Sequence, residues 1–132
     1  MGVDHDCWNY PDYFSETHNR RLRERGLLEM DMEMIVMKLV VSAGNARSTA
    51  IEALRAAKNG EFDLAEEQME DADRTILEAH EIQTEMIQSE LNGNKVEVGL
   101  LMVHAQDHLM NAMTVMDLCK EMIDILRKNM VS

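Results

Sequence analysis

The sequence predicts an all-α protein, an antiparallel up-down-up hairpin of three helices. Three observations support this. Aromatic residues make up 4% of the 132 residues and proline occurs once, whereas methionine occurs 13 times, a composition typical of helical bundles. Apolar residues recur at intervals of three and four in three long stretches, as on one face of a helix. Asn-Gly turn signals at 59–60 and 92–93 separate these stretches.

The chain is long enough for one domain with a buried core. We expect residues 1–26 to be an irregular N-terminal tail and residues 27–132 to be the helical domain. The tail holds the single proline, most of the aromatic residues and a basic run at 20–25. It is either a loosely docked extension, because untethered termini fray, or an arm whose aromatic side chains pack on a partner.

The formal net charge of −12 argues against nucleic acid as a ligand and favours a basic protein partner. Residues 61–90 hold eleven acidic side chains and one basic side chain, Arg74. Their outer face is either simply solvated or a docking surface. Cys7 and Cys119 have no metal or redox spacing, which fits a reduced, cytoplasmic location. No secretory leader is recognisable.

Helix 1 is expected at 27–59 and helix 2 at 63–91. Asp63 and Glu66 have the spacing of a capping box, and Gly44, which costs a helix about 1 kcal/mol relative to Ala, suggests close packing. Helix 1 has two candidate apolar lines: Met30, Met34, Met37, Val41 and Gly44; and Ile35, Leu39, Ser42, Ala46, Thr49 and Ala53. The inner line of helix 2 is Phe62, Ala65, Met69, Ala72, Ile76, Ala79, Gln83 and Met86.

Helix 3 is expected at 96–128, and its segment 98–116 is apolar on nearly every side, with Asp107 as the one formal charge. Such a helix is normally buried among other helices, while its polar residues argue against a membrane span. One packing line contains Leu101, Ala105, His108, Ala112, Val115, Cys119, Met122 and Leu126. The neighbouring line contains Leu100, His104, Asp107, Asn111, Thr114 and Leu118.

The second line is harder to explain by packing, because buried polar groups cost free energy unless they are paired. Two neighbouring helices cover about half of helix 3, so self-association is expected to cover the rest. If three copies met at an axis, pairs of Asp107 carboxylates about 4 Å apart would repel by roughly 4 kcal/mol. A divalent cation, magnesium or calcium, or shared protons would relieve this repulsion. Pairing of Asp107 with a neighbouring Arg or Lys is the alternative, and Arg47 in helix 1 is a candidate.

The run HAQDHLM at 104–110, preceded by LLMV at 100–103, resembles the active-site segment of enzyme IIA of the lactose/cellobiose type. These proteins are the phosphocarrier subunits of bacterial sugar phosphotransferase systems. The runs AGNARS at 43–48 and EAHEIQT at 78–84 agree, and the similarity extends over about 30–128. Asn45 departs from the family, which commonly has Asp there, and the tail is longer than the family needs.

The resemblance implies a cytoplasmic homotrimer in which His104 is phosphorylated and Asp107 is the buried metal ligand, with Mg²⁺ the expected ion. His104 would take a phosphoryl group from HPr and pass it to a cysteine of the IIB component, which serves the IIC permease. The sugar would be a β-linked disaccharide such as cellobiose, chitobiose or lactose. His80, Gln83 and His108 are candidates to hydrogen-bond the imidazole or the phosphoryl oxygens, with structural packing as the alternative for each.

Other functional classes fit less well. A ferritin-like di-iron site needs Glu-x-x-His pairs, and none of the five histidines has Glu three residues before it. A zinc hydrolase of the His-Glu-x-x-His kind is excluded because Ala105 occupies the position of the base. A metal-binding helical scaffold without phosphotransfer is the second hypothesis, since His104 and His108 have the spacing to bind a transition metal.

Overall fold

A computed structural model describes residues 32–130, which form three α-helices and, within that range, no strand. The helices are α1 (Met32–Lys58), α2 (Phe62–Leu91) and α3 (Leu100–Met130). The all-helical prediction is confirmed. The predicted tail at 1–26 and the predicted first turn of helix 1 lie outside the described residues. None of the three described helices is long and apolar enough to cross a membrane.

Both predicted turns lie where the sequence placed them. Gly60 and Gly93 have φ angles of 80° and 89°, a conformation that is favourable only for glycine. The Gly60 N–H donates to the Ala57 carbonyl and the Gly93 N–H donates to the Glu90 carbonyl, each at 3.0 Å. These bonds close the last turns of α1 and α2 and reverse the chain.

The beginnings of α2 and α3 differ from the predictions. Glu61 is the N-cap of α2 and makes no side-chain capping bond, so the capping box predicted at Asp63 is wrong. Helix α3 begins four residues later than predicted, where the Val103 N–H donates to the Gly99 carbonyl at 3.1 Å. The valines at 96 and 98 are β-branched and lose side-chain freedom in a helix, whereas glycine is accepted at an N-cap.

The core consists of one stripe from each helix. In α1 the apolar members of the predicted line through Ile35 and Leu39 are buried, but its Ser42 and Thr49 are only half-buried. The other predicted line is exposed on the single chain at Met34, Met37 and Val41. In α2 the inner line is buried from Ala65 to Ala79 as predicted. The α3 stripe, termed here the inner stripe, is Met102, Ala105, Leu109, Ala112, Met116, Cys119 and Ile123.

The packing line predicted for α3 is therefore only partly correct. Ala105, Ala112 and Cys119 are buried as predicted, but Leu101 and Met122 are exposed. The inner stripe follows an alternating spacing of three and four residues, as in a coiled coil. Because α3 is apolar on most sides, hydrophobic periodicity alone does not determine which stripe faces the other helices.

Charged side chains connect the helices at their surface. Lys38 of α1 pairs with Glu78 of α2, and Lys120 of α3 donates to Asp73 of α2 at 2.7 Å. Exposed ion pairs each contribute about 1 kcal/mol at most. Part of the acidic surface of α2 is thus paired within the chain, while the apolar stripes supply most of the stabilisation.

Candidate active site

The polar line predicted on helix 3 forms one continuous face of α3, termed here the outer line. All of its members are exposed on the single chain, and Leu100 is the most exposed at 86%. Spacings of three and four residues place them above one another on one helix face. The outer line consists of Leu100, His104, Asp107, Asn111, Thr114 and Leu118.

The two histidines of the HAQDH run contact each other at the border of this face. Their Nε2 atoms lie 3.1 Å apart, so that one ring donates its N–H to the other. The rings meet edge to face, with centroids 4.4 Å apart and an angle of 79° between planes. His108 is half-buried, whereas His104 is exposed. The imidazole of His104 is therefore accessible to another protein and held from one side by His108.

Asp107 lies one turn from Asn111, whose Nδ2 donates to its Oδ1 at 3.1 Å. Within residues 32–130 no ion pair joins Asp107 to Arg47, so the alternative pairing finds no support there. In the same range no group of three or more His, Cys, Asp or Glu side chains converges on a possible metal position. Asp107 is the one carboxylate among the six residues of the outer line.

A second polar group connects α2 and α3 beside the histidines. Gln83 Nε2 donates to Gln106 Oε1 at 2.6 Å and also contacts the Met110 sulfur at 3.6 Å. Gln106 was not among the predicted site residues. Because Gln83 lies on the inner line of α2, its amide needed a polar partner on the facing helix, and this requirement could have identified Gln106.

The three predicted auxiliary residues have different hydrogen-bond partners within residues 32–130. His108 contacts His104, Gln83 contacts Gln106, and the backbone carbonyl of His80 accepts a hydrogen bond from Thr84 Oγ1 at 2.9 Å. The phosphoryl-contacting roles of His80, Gln83 and His108 stay predictions.

An apolar groove of about 320 Å³ lies beside this polar group, between the end of α2, the connecting segment and the start of α3. Met86 and Ile87 line it from α2, and Val103 and Gln106 line it from α3. Two of its lining residues therefore flank His104 in the sequence.

Cys119 lies on the inner stripe, away from the outer line. It is a free thiol, and burial raises its pKa above the usual 9.0. A protonated, buried thiol is a poor nucleophile, so Cys119 acts as a small core residue, as predicted.

Comparison with known proteins identifies the family. The family model described as "PTS system, Lactose/Cellobiose specific IIA subunit" matches residues 34–127. The lichenan-specific phosphotransferase enzyme IIA component of Bacillus subtilis is 49% identical over 98 residues, which cover 74% of this chain and 89% of the relative. The N,N'-diacetylchitobiose-specific EIIA component of Escherichia coli K12 is 40% identical over 98 residues, 74% of this chain and 84% of the relative.

Solved structures give the same result. The cellobiose-specific enzyme IIA of Bacillus anthracis superposes with a TM-score of 0.73 at 49% identity, covering 78% of this chain and 95% of that one. The chitobiose IIA of Escherichia coli, solved in complex with HPr, superposes with a TM-score of 0.66 at 38% identity, covering 75% of this chain and 96% of that one. The chain therefore belongs to the lactose/cellobiose-specific IIA family of the phosphotransferase system.

Proposed function

We propose that this chain is a phosphocarrier in which His104 accepts a phosphoryl group from phosphorylated HPr. The observation that carries the proposal is the exposure of His104 on the outer line, with His108 against one edge of its ring at 3.1 Å. The chitobiose IIA solved with HPr is a relative of the same family, which supports HPr as the donor. Attack on a phosphohistidine requires an accessible imidazole held in one orientation, and this geometry supplies both.

In the first step, the lone pair of a neutral His104 nitrogen attacks phosphorus. The bond between phosphorus and the HPr imidazole breaks as the new one forms, and the HPr ring leaves with the electron pair. In the second step, a cysteine thiolate of the IIB component attacks the same phosphorus and His104 leaves. Such transfers depend mainly on in-line positioning and charge stabilisation, to which His108 would contribute because its Nε2 contacts that of His104 at 3.1 Å.

We further propose that three copies associate with Asp107 of each α3 at a common axis and His104 in a groove at the subunit boundary, each copy being an up-down-up hairpin. The order of contacts between α2 and α3 supports the antiparallel arrangement, because Asp73 pairs with Lys120 whereas the earlier Glu66 pairs with Arg127. Exposed apolar side chains on α1 and α3, such as Met37 and Leu118 at 54% and 52%, support burial against other copies.

Three Asp107 carboxylates, one from each copy, would hold a divalent cation on this axis, for which the oxygen ligands suit Mg²⁺. Asp107 fits this role because it is exposed and the side chain that donates a hydrogen bond to it, Asn111, is neutral. The ion would cancel the repulsion between the carboxylates and thus serve assembly rather than phosphoryl transfer.

We propose that the protein acts in the cytoplasm, beside the IIB and IIC components of a β-disaccharide transporter. Relatives named for lichenan, cellobiose and chitobiose support this class of sugar. A scaffold without phosphotransfer is not favoured, because the family to which the chain belongs consists of phosphotransferase components.

Incubation with phosphorylated HPr, followed by intact-mass measurement, tests the phosphocarrier role. The wild type is expected to gain one phosphoryl group per chain, and His104→Gln is expected to gain none while keeping its helical circular dichroism spectrum. His18→Gln, which removes a histidine outside the family match, is the matched control and is expected to behave as the wild type. Phosphorylation of His104→Gln at the wild-type level would reject the assignment.

A further inference from the structure

The contact between His104 and His108 offers more than phosphoryl transfer requires. A nucleophilic imidazole needs one free nitrogen, yet here two Nε2 atoms on successive turns of α3 face each other at 3.1 Å. Both belong to a rigid helix, and at least one of the two rings is exposed. Two imidazole nitrogens held at this distance on an accessible surface form a candidate bidentate metal ligand.

The spacing fits the coordination geometry of a transition metal. Imidazole nitrogen binds Zn²⁺ at about 2.0–2.1 Å, and tetrahedral to right-angled bonding puts two such nitrogens roughly 2.9–3.4 Å apart. The observed 3.1 Å lies within this range. The ion would replace the shared proton and lie beside the line between the nitrogens, with both rings turned toward it. Imidazole ligands suit zinc, copper and nickel, whereas Mg²⁺ prefers oxygen.

We propose that His104 and His108 form a binding site for one divalent transition-metal ion, and that an ion bound there blocks phosphorylation of His104. The second half rests on the proposed phosphocarrier function. A neutral imidazole has one nitrogen with a free lone pair, and the metal takes it. No lone pair is then left on His104 to attack phosphorus until the ion dissociates.

The surroundings indicate a reversible site. Within residues 32–130 no third His, Cys, Asp or Glu side chain joins the pair to form a closed metal site, so water would complete the coordination. The nearby Asp107 carboxylate is hydrogen-bonded to Asn111 instead. The site is therefore chemically distinct from a magnesium site formed by carboxylates of several copies.

Isothermal titration of the untagged full-length chain with Zn²⁺, in excess Mg²⁺, tests the binding half. We expect one zinc ion per chain on this pair, with at least tenfold weaker binding in His104→Gln and in His108→Gln. His18→Gln is the control and should bind as the wild type does. In place of Zn²⁺, Cu²⁺ should bind more tightly than Ni²⁺. Wild-type zinc affinity in His108→Gln would overturn the proposal.

The rate of phosphorylation by HPr, with and without zinc, tests the blocking half. For each protein, the rate with zinc is compared with the rate of the same protein in chelator. Any effect of zinc on HPr itself is then the same for the wild type and the variant. Zinc is expected to slow the wild type at least tenfold more than it slows His108→Gln. Equal slowing of the two would overturn the proposal. A wild-type chain that takes up no phosphate in chelator would instead reject the phosphocarrier function, and titration would still decide the metal site.

Discussion

The two sides of α3 differ in how completely they are buried within a single chain. Every residue of the inner stripe is buried, and Leu109 at its centre is 0% exposed. Every residue of the outer line is exposed, including the apolar Leu100 and Leu118. Both faces begin and end with apolar residues, but only the outer line contains His104 and Asp107.

The difference separates two tasks within one helix. The inner stripe stabilises the chain by packing, and burial keeps its one thiol, Cys119, from reacting. The outer line leaves apolar area uncovered, which is costly in water unless another surface buries it. We infer that the inner stripe stabilises the fold of the chain, whereas the outer line contacts further copies and partner proteins.

Alanine substitutions at matched leucines should show the largest contrast. Leu109→Ala removes a fully buried side chain and is expected to lower the free energy of unfolding by about 3 kcal/mol or more. Leu118→Ala should cost under about 1 kcal/mol in a dilute, dissociated chain. Urea unfolding at several protein concentrations measures both. The cost of Leu118→Ala should grow with concentration, because association adds to stability, and equal, concentration-independent costs would contradict the distinction.

The proposed role of Asp107 predicts an effect on stability that depends on magnesium and is smaller than that of Leu109→Ala. Mg²⁺ at one hundred times its dissociation constant is expected to stabilise the wild-type assembly by about 2.7 kcal/mol per ion. Asp107→Leu should lose this response, and it should still accept phosphate from HPr. Thermal unfolding with Mg²⁺ and with chelator measures the response. An unchanged magnesium effect in the variant would place the ion elsewhere.

The smallest expected effect on stability comes from the Cys119 thiol of the inner stripe. Burial raises the pKa of the Cys119 thiol above 9.0, so the folded chain holds this proton when the unfolded chain has lost it. Its contribution to stability is present below the unfolded pKa and is lost as pH rises above 9. Urea unfolding between pH 8 and 10.5 should show a steeper loss for the wild type than for Cys119→Ala, and parallel curves would be the contrary result.

Local signals predicted the helices and turns well. The two Asn-Gly pairs require the left-handed conformation that Gly60 and Gly93 adopt, so the ends of α1 and α2 follow from sequence. The start of α3 was missed because Val96 and Val98 are apolar and extend the helical pattern, although their branched side chains disfavour a helix.

The roles of the site residues stay predictions, whereas their position on α3 can be compared with the structure. The HAQDH run indicated His104 and Asp107, and periodicity correctly placed them on one exposed face. The inner stripe was misassigned at Leu101 and Met122, because hydrophobicity does not distinguish the sides of a helix that is apolar all round. The hydrogen bond between Gln83 and Gln106 depends on the packing of α2 against α3, which local sequence does not encode.

The mass of the untagged wild-type chain by sedimentation equilibrium, in Mg²⁺ and over a wide concentration range, tests most directly whether other copies complete the outer line. We expect the wild type to sediment as a species of three chains. Leu118→Asp places a charge on the outer line and should shift the equilibrium toward single chains. A wild type that sediments as one chain at every concentration would contradict it.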